Sequence, residues 1–436
     1  MSALPVWIRR LLPQGRFGKG VAALAGGTAA GQLIGILASP ILTRVYSTED
    51  FGTLGVFTSI IGILSIIACL RFELAMPLPQ DDGDAASIGA VALVSSVMTA
   101  LVVVIVLLFL GDDLARLTRA PGLEPFGWLL AVGVIAIGAY QVLNYWAVRR
   151  REYTRIARTK FIQGLSGVAV QLAGSLFAGP AGLLFGQVTV HAAGGTSLGR
   201  AFWREDRAVL KTVSLKRMRA VAGRYRHFPL IQAPASLINS AGLRIPQLLI
   251  SGIFGVHIAG LFALGTRVIA APVTFIGLSI AQVYVGEISR LVSEDAPAAL
   301  NLFLTTARKL FIYTVVPISL LTALGPWMFA FVFGAEWREA GVMVQALGAM
   351  YLAQIVVFPL SQTLVVLERQ KLQLVWDSGR LALTVAALAL PRVLGAGPYV
   401  TIAIFGIAMA VAYVVHFFLM WWALGRNVRI REGFAA

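Results

Sequence analysis

The chain has 436 residues, of which 58% are hydrophobic and 13% are charged, and its mean hydropathy is +0.82. A soluble domain is typically about half apolar and about a quarter charged, so this composition excludes a soluble protein and indicates an integral membrane protein. The formal net charge of +16 could indicate a nucleic-acid-binding protein. However, the lysines and arginines lie in short segments between apolar runs, and that pattern is a signal of membrane topology.

The first two apolar runs enclose a charged hairpin, and the second run ends on two ionisable residues. Arg44 directly follows the first run, where it either anchors at the outer headgroups or contacts a substrate. Arg71 and Glu73 close the second run, which we place at 52–73. Residues two apart do not share a helix face, so we expect no pairing on a helix. Because charges at membrane depth are costly, at least one of the two is a candidate for the transport path.

Twelve runs are candidates for membrane-spanning helices, each of which needs about 20 mostly apolar residues. They are 20–43, 52–73, 86–110, 126–147, 161–177, 180–199, 228–252, 258–285, 309–332, 340–366, 374–394 and 398–424. The fifth and sixth are short and rich in glycine, so their ends are the least well defined. We therefore predict an all-α integral membrane protein with about twelve transmembrane helices in two six-helix lobes.

The predicted domains are an N-terminal tail (1–19), an N-lobe (20–199), a basic linker (200–227), a C-lobe (228–424) and a C-terminal tail (425–436). Of the 36 lysines and arginines, 29 fall in segments on the same side as the two termini and five on the opposite side. By the positive-inside rule, both termini and the linker are cytoplasmic. A faint internal repeat with an offset of 208 aligns residues 46–54 with 254–262 and Gly52 with Gly260. Such a repeat is typical of transporters built from two halves.

Two arginines fall inside predicted spans. Arg244 lies near the middle of the seventh run with Pro246 just after it, and Arg267 lies in the eighth run. A cation at that depth must face the bundle interior, where it binds a substrate or pairs with another group. A guanidinium is always charged and its fork matches phosphate oxygens, so the interior is suited to an anion.

Other polar residues complete the candidate set. Asn239 and Gln282 lie in the same two runs and suit either helix–helix contacts or the binding of sugar hydroxyls. Asp377, with Glu73, is a candidate for ion coupling, although Asp377 and Arg380 at i and i+3 can simply pair. The basic segment 200–226 is predicted to be either an amphipathic helix on anionic headgroups or a linker that sets topology.

The residues of the hairpin and of the end of the second run resemble one family in their order. They are Ser39-Pro40, Leu42-Thr43-Arg44, Tyr46-Ser47, Glu49-Asp50-Phe51-Gly52, and Leu70-Arg71-Phe72-Glu73-Leu74-Ala75 with Pro77. Asn144-Tyr145-Trp146 with Arg149 and the segment from Phe228-Pro229 onward extend the likeness. The pattern resembles the polysaccharide (O-antigen, Wzx-type) flippases of the multidrug/oligosaccharidyl-lipid/polysaccharide exporter superfamily, most clearly over 20–80 and 225–290.

This resemblance implies a two-lobed alternating-access transporter with a cationic cavity. The implied substrate is an undecaprenyl-diphosphate-linked oligosaccharide, moved from the cytoplasmic to the periplasmic leaflet of a bacterial inner membrane. The implied pathway is the synthesis of O-antigen, capsule or exopolysaccharide, with a downstream polysaccharide polymerase as a partner. The substrate-binding candidates are then Arg44, Arg71, Arg244, Arg267, Asn239 and Gln282, and the ion-coupling candidates are Glu73 and Asp377.

Two other functions remain open. An exporter of small cationic drugs needs an acidic pore, whereas the interior charges here are mostly arginine. A membrane polysaccharide polymerase or ligase usually needs a sizeable outer loop for acid–base chemistry, and the loop at 111–125 is short.

The four histidines have no metal-ligand spacing and the chain has one cysteine, Cys69. No P-loop is found. We therefore predict a transporter, not an enzyme, with neither cofactor nor metal and with no nucleic-acid partner.

Overall fold

The computed structural model describes residues 16–435, with the side chains of residues 26–427 apart from positions 272, 275, 276 and 279. This part of the chain is about 90% helical and contains no strand, which confirms the all-α prediction. Its α-helices are α1 Arg16–Val45, α2 Thr48–Ile67, α3 Asp82–Thr118, α4 Trp128–Arg149, α5 Tyr153–Gly174, α6 Ala181–Glu205, α7 Leu215–Arg224, α8 Ala233–Phe254, α9 Val256–Glu294, α10 Ala296–Ala323, α11 Gly325–Phe333, α12 Arg338–Leu360, α13 Gln362–Val366, α14 Gln370–Val393 and α15 Pro398–Ala435.

The membrane-spanning character of these helices follows from their length and composition. Nine helical segments of the described chain are long and apolar enough to cross a membrane. The predicted runs 161–177 and 180–199, now α5 and α6, are not among them, and α9 contributes only a shorter apolar stretch, Val256–Ala271. All three are nevertheless long helices, of 22, 25 and 39 residues.

The second predicted span is wrong at its far end. Instead of continuing to residue 73, α2 ends at Ile67 and is followed by a turn and a short 3-10 helix, Phe72–Ala75. Leu70 and Arg71 stop the helix because their φ angles of 49° and 63° are left-handed. The start of α2 is fixed by a capping box: the Asp50 N–H donates to the Ser47 side chain, and the Ser47 N–H donates back to the Asp50 carboxylate.

The described chain forms two compact units, divided between Gly260 and Leu261 within α9. In the unit that ends at Gly260, α1 packs on α5, α4 on α3 and α6, and α8 on α2. In the unit that begins at Leu261, α12 packs on α10 and α15, and α14 packs on α15. The predicted linker at 200–227 lies within the first unit, so the domain boundaries given above stay a prediction. The predicted tail at 1–19 lies almost wholly outside the described residues.

The internal repeat is visible where α2 meets the start of α9. The two helices begin at Thr48 and Val256, which are 208 positions apart, as are Gly52 and Gly260. A Cβ atom on Gly52 would collide with the Val256 carbonyl oxygen, and one on Gly260 with the Thr48 carbonyl oxygen. The contact is therefore reciprocal between positions that are 208 residues apart.

Candidate functional site

The turn after α2 brings Arg71 and Glu73 together. Because the backbone is not α-helical here, residues two apart do meet, contrary to the expectation for a helix, and Arg71 Nη1 lies 3.5 Å from Glu73 Oε1. The Glu73 side chain is 1% exposed and that of Arg71 is 18% exposed. The pair is thus a carboxylate sealed in the protein beside a cation that still reaches the surface.

The surroundings of this pair are apolar and leave several polar atoms without partners. Within the described residues, Glu73 Oε2 and Arg71 Nε have no hydrogen-bond partner. Gln141 on α4 donates from Nε2 to the Ser65 carbonyl at 3.1 Å, but its Oε1 also has no partner in that range. Burial raises the pKa of Glu73 above its ordinary value, and the backbone N–H of Glu73 together with Arg71 only partly offsets this rise.

Arg149, at the end of α4, holds the loop that follows the pair. Its guanidinium donates to the carbonyls of Met76, Pro79 and Gln80 and pairs with Asp82 at 2.8 Å. Arg149 belongs to the residues that carry the family resemblance, which assigns it no role. Its four partners lie between residues 76 and 82, far from Arg149 in sequence, so no spacing rule would have found them.

Arg244 lies on α8 and is exposed, although α8 belongs to a segment that is apolar enough to span a membrane. Its Nε lies 2.9 Å from the point that a Cβ atom on Gly62 of α2 would occupy. The absence of a side chain at Gly62 therefore lets the guanidinium lie directly against α2. A cation exposed at this depth faces a water-filled space more favourably than lipid, and its role in binding stays a prediction. Gly62 itself was missed, because one glycine in an apolar run carries no signal.

The remaining predicted residues are distributed over both units. In the first unit, Arg44 is exposed and donates to the Pro40 carbonyl of its own helix at 3.4 Å, and Asn239 is exposed on α8. In the second unit, Arg267 is half-buried and Gln282 is exposed, both on α9. Arg71 and Glu73, by contrast, are in direct contact with each other.

Asp377 and Arg380 are buried in the second unit and form the predicted i,i+3 pair at 3.3 Å. Gln373 donates to the other oxygen of Asp377 at 3.1 Å and meets His416 of α15 at 3.3 Å. Trp376 stacks on His416 with ring centroids 3.8 Å apart. This network joins α14 to α15 through polar contacts inside the helix bundle.

The later part of the basic segment 200–226 forms a short amphipathic helix, α7, whose Ser214 cap accepts from the Arg217 N–H. Its apolar side, with Val221 and the following Tyr225, packs on the cluster that contains Phe72 and Met76. Binding of this segment to anionic headgroups stays a prediction. Groups of three or more His, Cys, Asp or Glu side chains that could hold a metal do not occur in the described part of the chain.

A family profile described as polysaccharide biosynthesis protein matches residues 41–342, more than half of the chain. The chain belongs to this family. A search of curated proteins finds no match to the chain. The matched region of the polysaccharide biosynthesis protein covers the turn at Arg71 and Glu73 and both interior arginines.

Solved structures show the same fold at low sequence identity. An inward-facing multidrug resistance MATE family transporter of the MOP superfamily aligns with a TM-score of 0.71 at 14% identity, over 98% of this chain and 99% of that one. The lipid II flippase MurJ, in an inward closed conformation, aligns with a TM-score of 0.68 at 10% identity, over 93% and 87%. A MOP superfamily transporter from Pyrococcus furiosus aligns with a TM-score of 0.58 at 14% identity, over 98% and 99%. This polysaccharide biosynthesis protein therefore has the twelve-helix, two-lobe fold of MOP transporters and flippases.

Proposed function

We propose that the protein is a flippase that moves an undecaprenyl-diphosphate-linked oligosaccharide from the cytoplasmic to the periplasmic leaflet of a bacterial inner membrane, for O-antigen, capsule or exopolysaccharide synthesis. The observation that carries this proposal is Arg244, an exposed cation on a membrane-spanning helix, lying against Gly62. A guanidinium at this depth provides the charge and the forked donors that a diphosphate needs in place of water. The lipid tails stay in the bilayer while the head group passes.

The other candidate residues have roles in the same proposal. Arg44, Arg71, Arg267, Asn239 and Gln282 contact the diphosphate or the sugars along its path, and Glu73 and Asp377 couple an ion to the movement. Anionic lipid headgroups bind the basic segment, and a polysaccharide polymerase receives the product. The membership in a polysaccharide biosynthesis family and the likeness to the lipid II flippase MurJ support a lipid-linked substrate.

A second candidate is export of small molecules, which the likeness to a multidrug resistance transporter favours. The two functions differ in the charge of the cargo. A transporter of cationic drugs would be hindered by Arg244, and replacing it with an uncharged residue would leave transport equal or faster. A flippase for a diphosphate would lose activity with the same replacement.

Purified protein in vesicles that contain an undecaprenyl-diphosphate-linked oligosaccharide tests the proposal directly. We expect R244A to lower the flipping rate by about tenfold or more, because a charge-assisted contact contributes roughly 1.5–3 kcal/mol. R116A is the matched control, since Arg116 is also exposed, lies at the end of α3 and is not a proposed site residue. Wild-type rates in both variants, or no flipping by the wild-type protein, would reject the proposal.

A further inference from the structure

The carboxyl group of Glu73 is held by too few partners for a permanent anion. It is buried in an apolar cluster that includes Cys69, Phe72 and Met76. Its contact with Arg71 at 3.5 Å is at the outer limit of a hydrogen bond, and Oε2 has no partner within the described residues. A buried carboxylate normally accepts several hydrogen bonds, because burying an unpaired charge is costly.

The groups around Glu73 do not supply a second charge. Cys69 in the turn before it and Tyr145 on α4 interact electrostatically with both members of the pair. On α3, Asp82 is already paired with Arg149. The turn Phe228–Gln232 also packs on this segment, and His227, which precedes it, is exposed. Arg71 is therefore the described cation that acts on Glu73.

The backbone is also adapted to this one contact. Leu70 and Arg71 are consecutive non-glycine residues in the left-handed region, a conformation that L residues rarely adopt and that persists only where the surroundings impose it. The turn places the Arg71 guanidinium opposite Glu73 while keeping 18% of the arginine side chain exposed. The cation has access to water and to ligands, whereas the carboxyl group does not.

We propose that Glu73 is a proton-binding site and that its protonation releases Arg71 to bind an anionic group such as a phosphate. A hydronium ion on the solvent-exposed side of Arg71 is the proton source: its proton forms an O–H bond at Glu73 Oε2 and water is left, so the carboxyl group becomes neutral and loses its attraction for the guanidinium. Gln141 Oε1 is an acceptor on the helix that packs against this turn, and it is without a partner in the described range. Burial, which raises the pKa of Glu73, acts in the same direction.

Proton uptake and anion binding then assist each other. A proton on Glu73 makes Arg71 available, and by reciprocity an anion on Arg71 favours protonation of Glu73. The nature of the anion rests on the proposed function, whereas the protonation and the release of Arg71 do not. The two can therefore be tested separately.

Infrared spectroscopy of the purified full-length protein, titrated with pH, detects the C=O stretch of protonated carboxyl groups. We expect one such group in the wild-type protein to titrate well above about pH 4.3, the ordinary value for glutamate. This titrating carboxyl group should be absent from E73Q. It should also be absent from the double variant R71Q/E73Q, in which neither member of the pair carries a charge. E49Q, which removes an exposed glutamate on α2, should retain it. In R71Q the titration should move to higher pH, because the cation that favours the carboxylate is gone. An identical signal in E73Q, or none in the wild type, would overturn the proposal.

The release of Arg71 is measured by its rate of modification with phenylglyoxal, followed by mass spectrometry at one fixed pH. We expect Arg71 in E73Q to react several-fold faster than in the wild type, while the exposed Arg116 reacts equally in both. Equal rates at Arg71 would refute the release. Because neither measurement contains a lipid-linked substrate, a flippase assay that fails would reject the proposed function and leave these results unaffected.

Discussion

Within the described residues, two arginine–carboxylate pairs have a buried carboxylate, and they are built differently. Arg71 and Glu73 are two residues apart on a turn, whereas Asp377 and Arg380 are three apart on a regular helix. The separations of 3.5 and 3.3 Å are nearly equal. The difference lies in the partners of the carboxylate, which the backbone around each pair determines.

Both oxygens of Asp377 are engaged, one by Arg380 and the other by Gln373. The Arg380 guanidinium also lies over the Trp376 ring, with 4.9 Å between Cζ and the ring centroid, and Trp376 donates to the Ala412 carbonyl of α15. Glu73 has one long contact with another side chain, and its Oε2 has no partner within the described residues. The second pair thus has the features of a structural link between helices, and the first those of a group that changes state. The comparison favours Glu73 over Asp377 as the ion-coupling candidate.

The largest effect is expected from D377A. Removing one member of a buried, hydrogen-bonded ion pair leaves an uncompensated charge, so we expect a loss of about 3–5 kcal/mol in the free energy of unfolding in detergent. E73A should lose less, because Arg71 retains access to solvent. E294A is the control: its pair with Arg290 is exposed, and the loss should be within about 0.5 kcal/mol. A greater loss in E73A than in D377A would reverse the comparison.

Two glutamines sharpen the contrast: Gln373, which contacts Asp377, and Gln141, on the helix that packs against the turn of Arg71 and Glu73. Gln373 is bonded at both ends of its amide, so Q373L should cost about 1–3 kcal/mol by leaving the Asp377 oxygen and His416 without that partner. Gln141 makes one described bond, to the Ser65 carbonyl, and has an unpaired oxygen within the same range, so Q141L should cost less than about 1.5 kcal/mol. Leucine is the same replacement in both, and unfolding in detergent measures both. Equal losses would show that the amide environments do not differ in energy.

Sequence periodicity predicted the second pair because i,i+3 residues meet on any regular helix. It failed for the first pair because the end of α2 is set by two left-handed residues, Leu70 and Arg71, that are neither glycine nor asparagine. A continuous apolar pattern through residue 69 gave no sign of that stop. The twelve-helix fold, by contrast, follows from apolar runs that need no detailed geometry, and the likeness to solved MOP-superfamily structures confirms it.

The candidate site was predictable only in part, for a related reason. Arg244 stands out because a cation in an apolar run is costly anywhere, so its position alone marks it. Gly62, against which it lies, and Gln141, which donates to the Ser65 carbonyl of α2, are ordinary residues whose role depends on packing between helices distant in sequence. Composition and spacing along one helix contain no information on such contacts.

The smallest effect concerns the strained turn itself. Leu70 has a φ of 49° and is 36% exposed, and no residue of α14 has a positive φ. Asparagine adopts this left-handed conformation more readily than leucine, so L70N should raise the free energy of unfolding by up to about 1 kcal/mol. L78N is the matched control, since Leu78 is also exposed and lies in the same connection between α2 and α3 but is not among the positive-φ residues. An equal gain in L78N would mean that replacing an exposed leucine with a polar residue causes the effect, and not the φ angle of Leu70. A loss in L70N alone would show that the packing of the Leu70 side chain stabilises the turn by more than the left-handed conformation destabilises it.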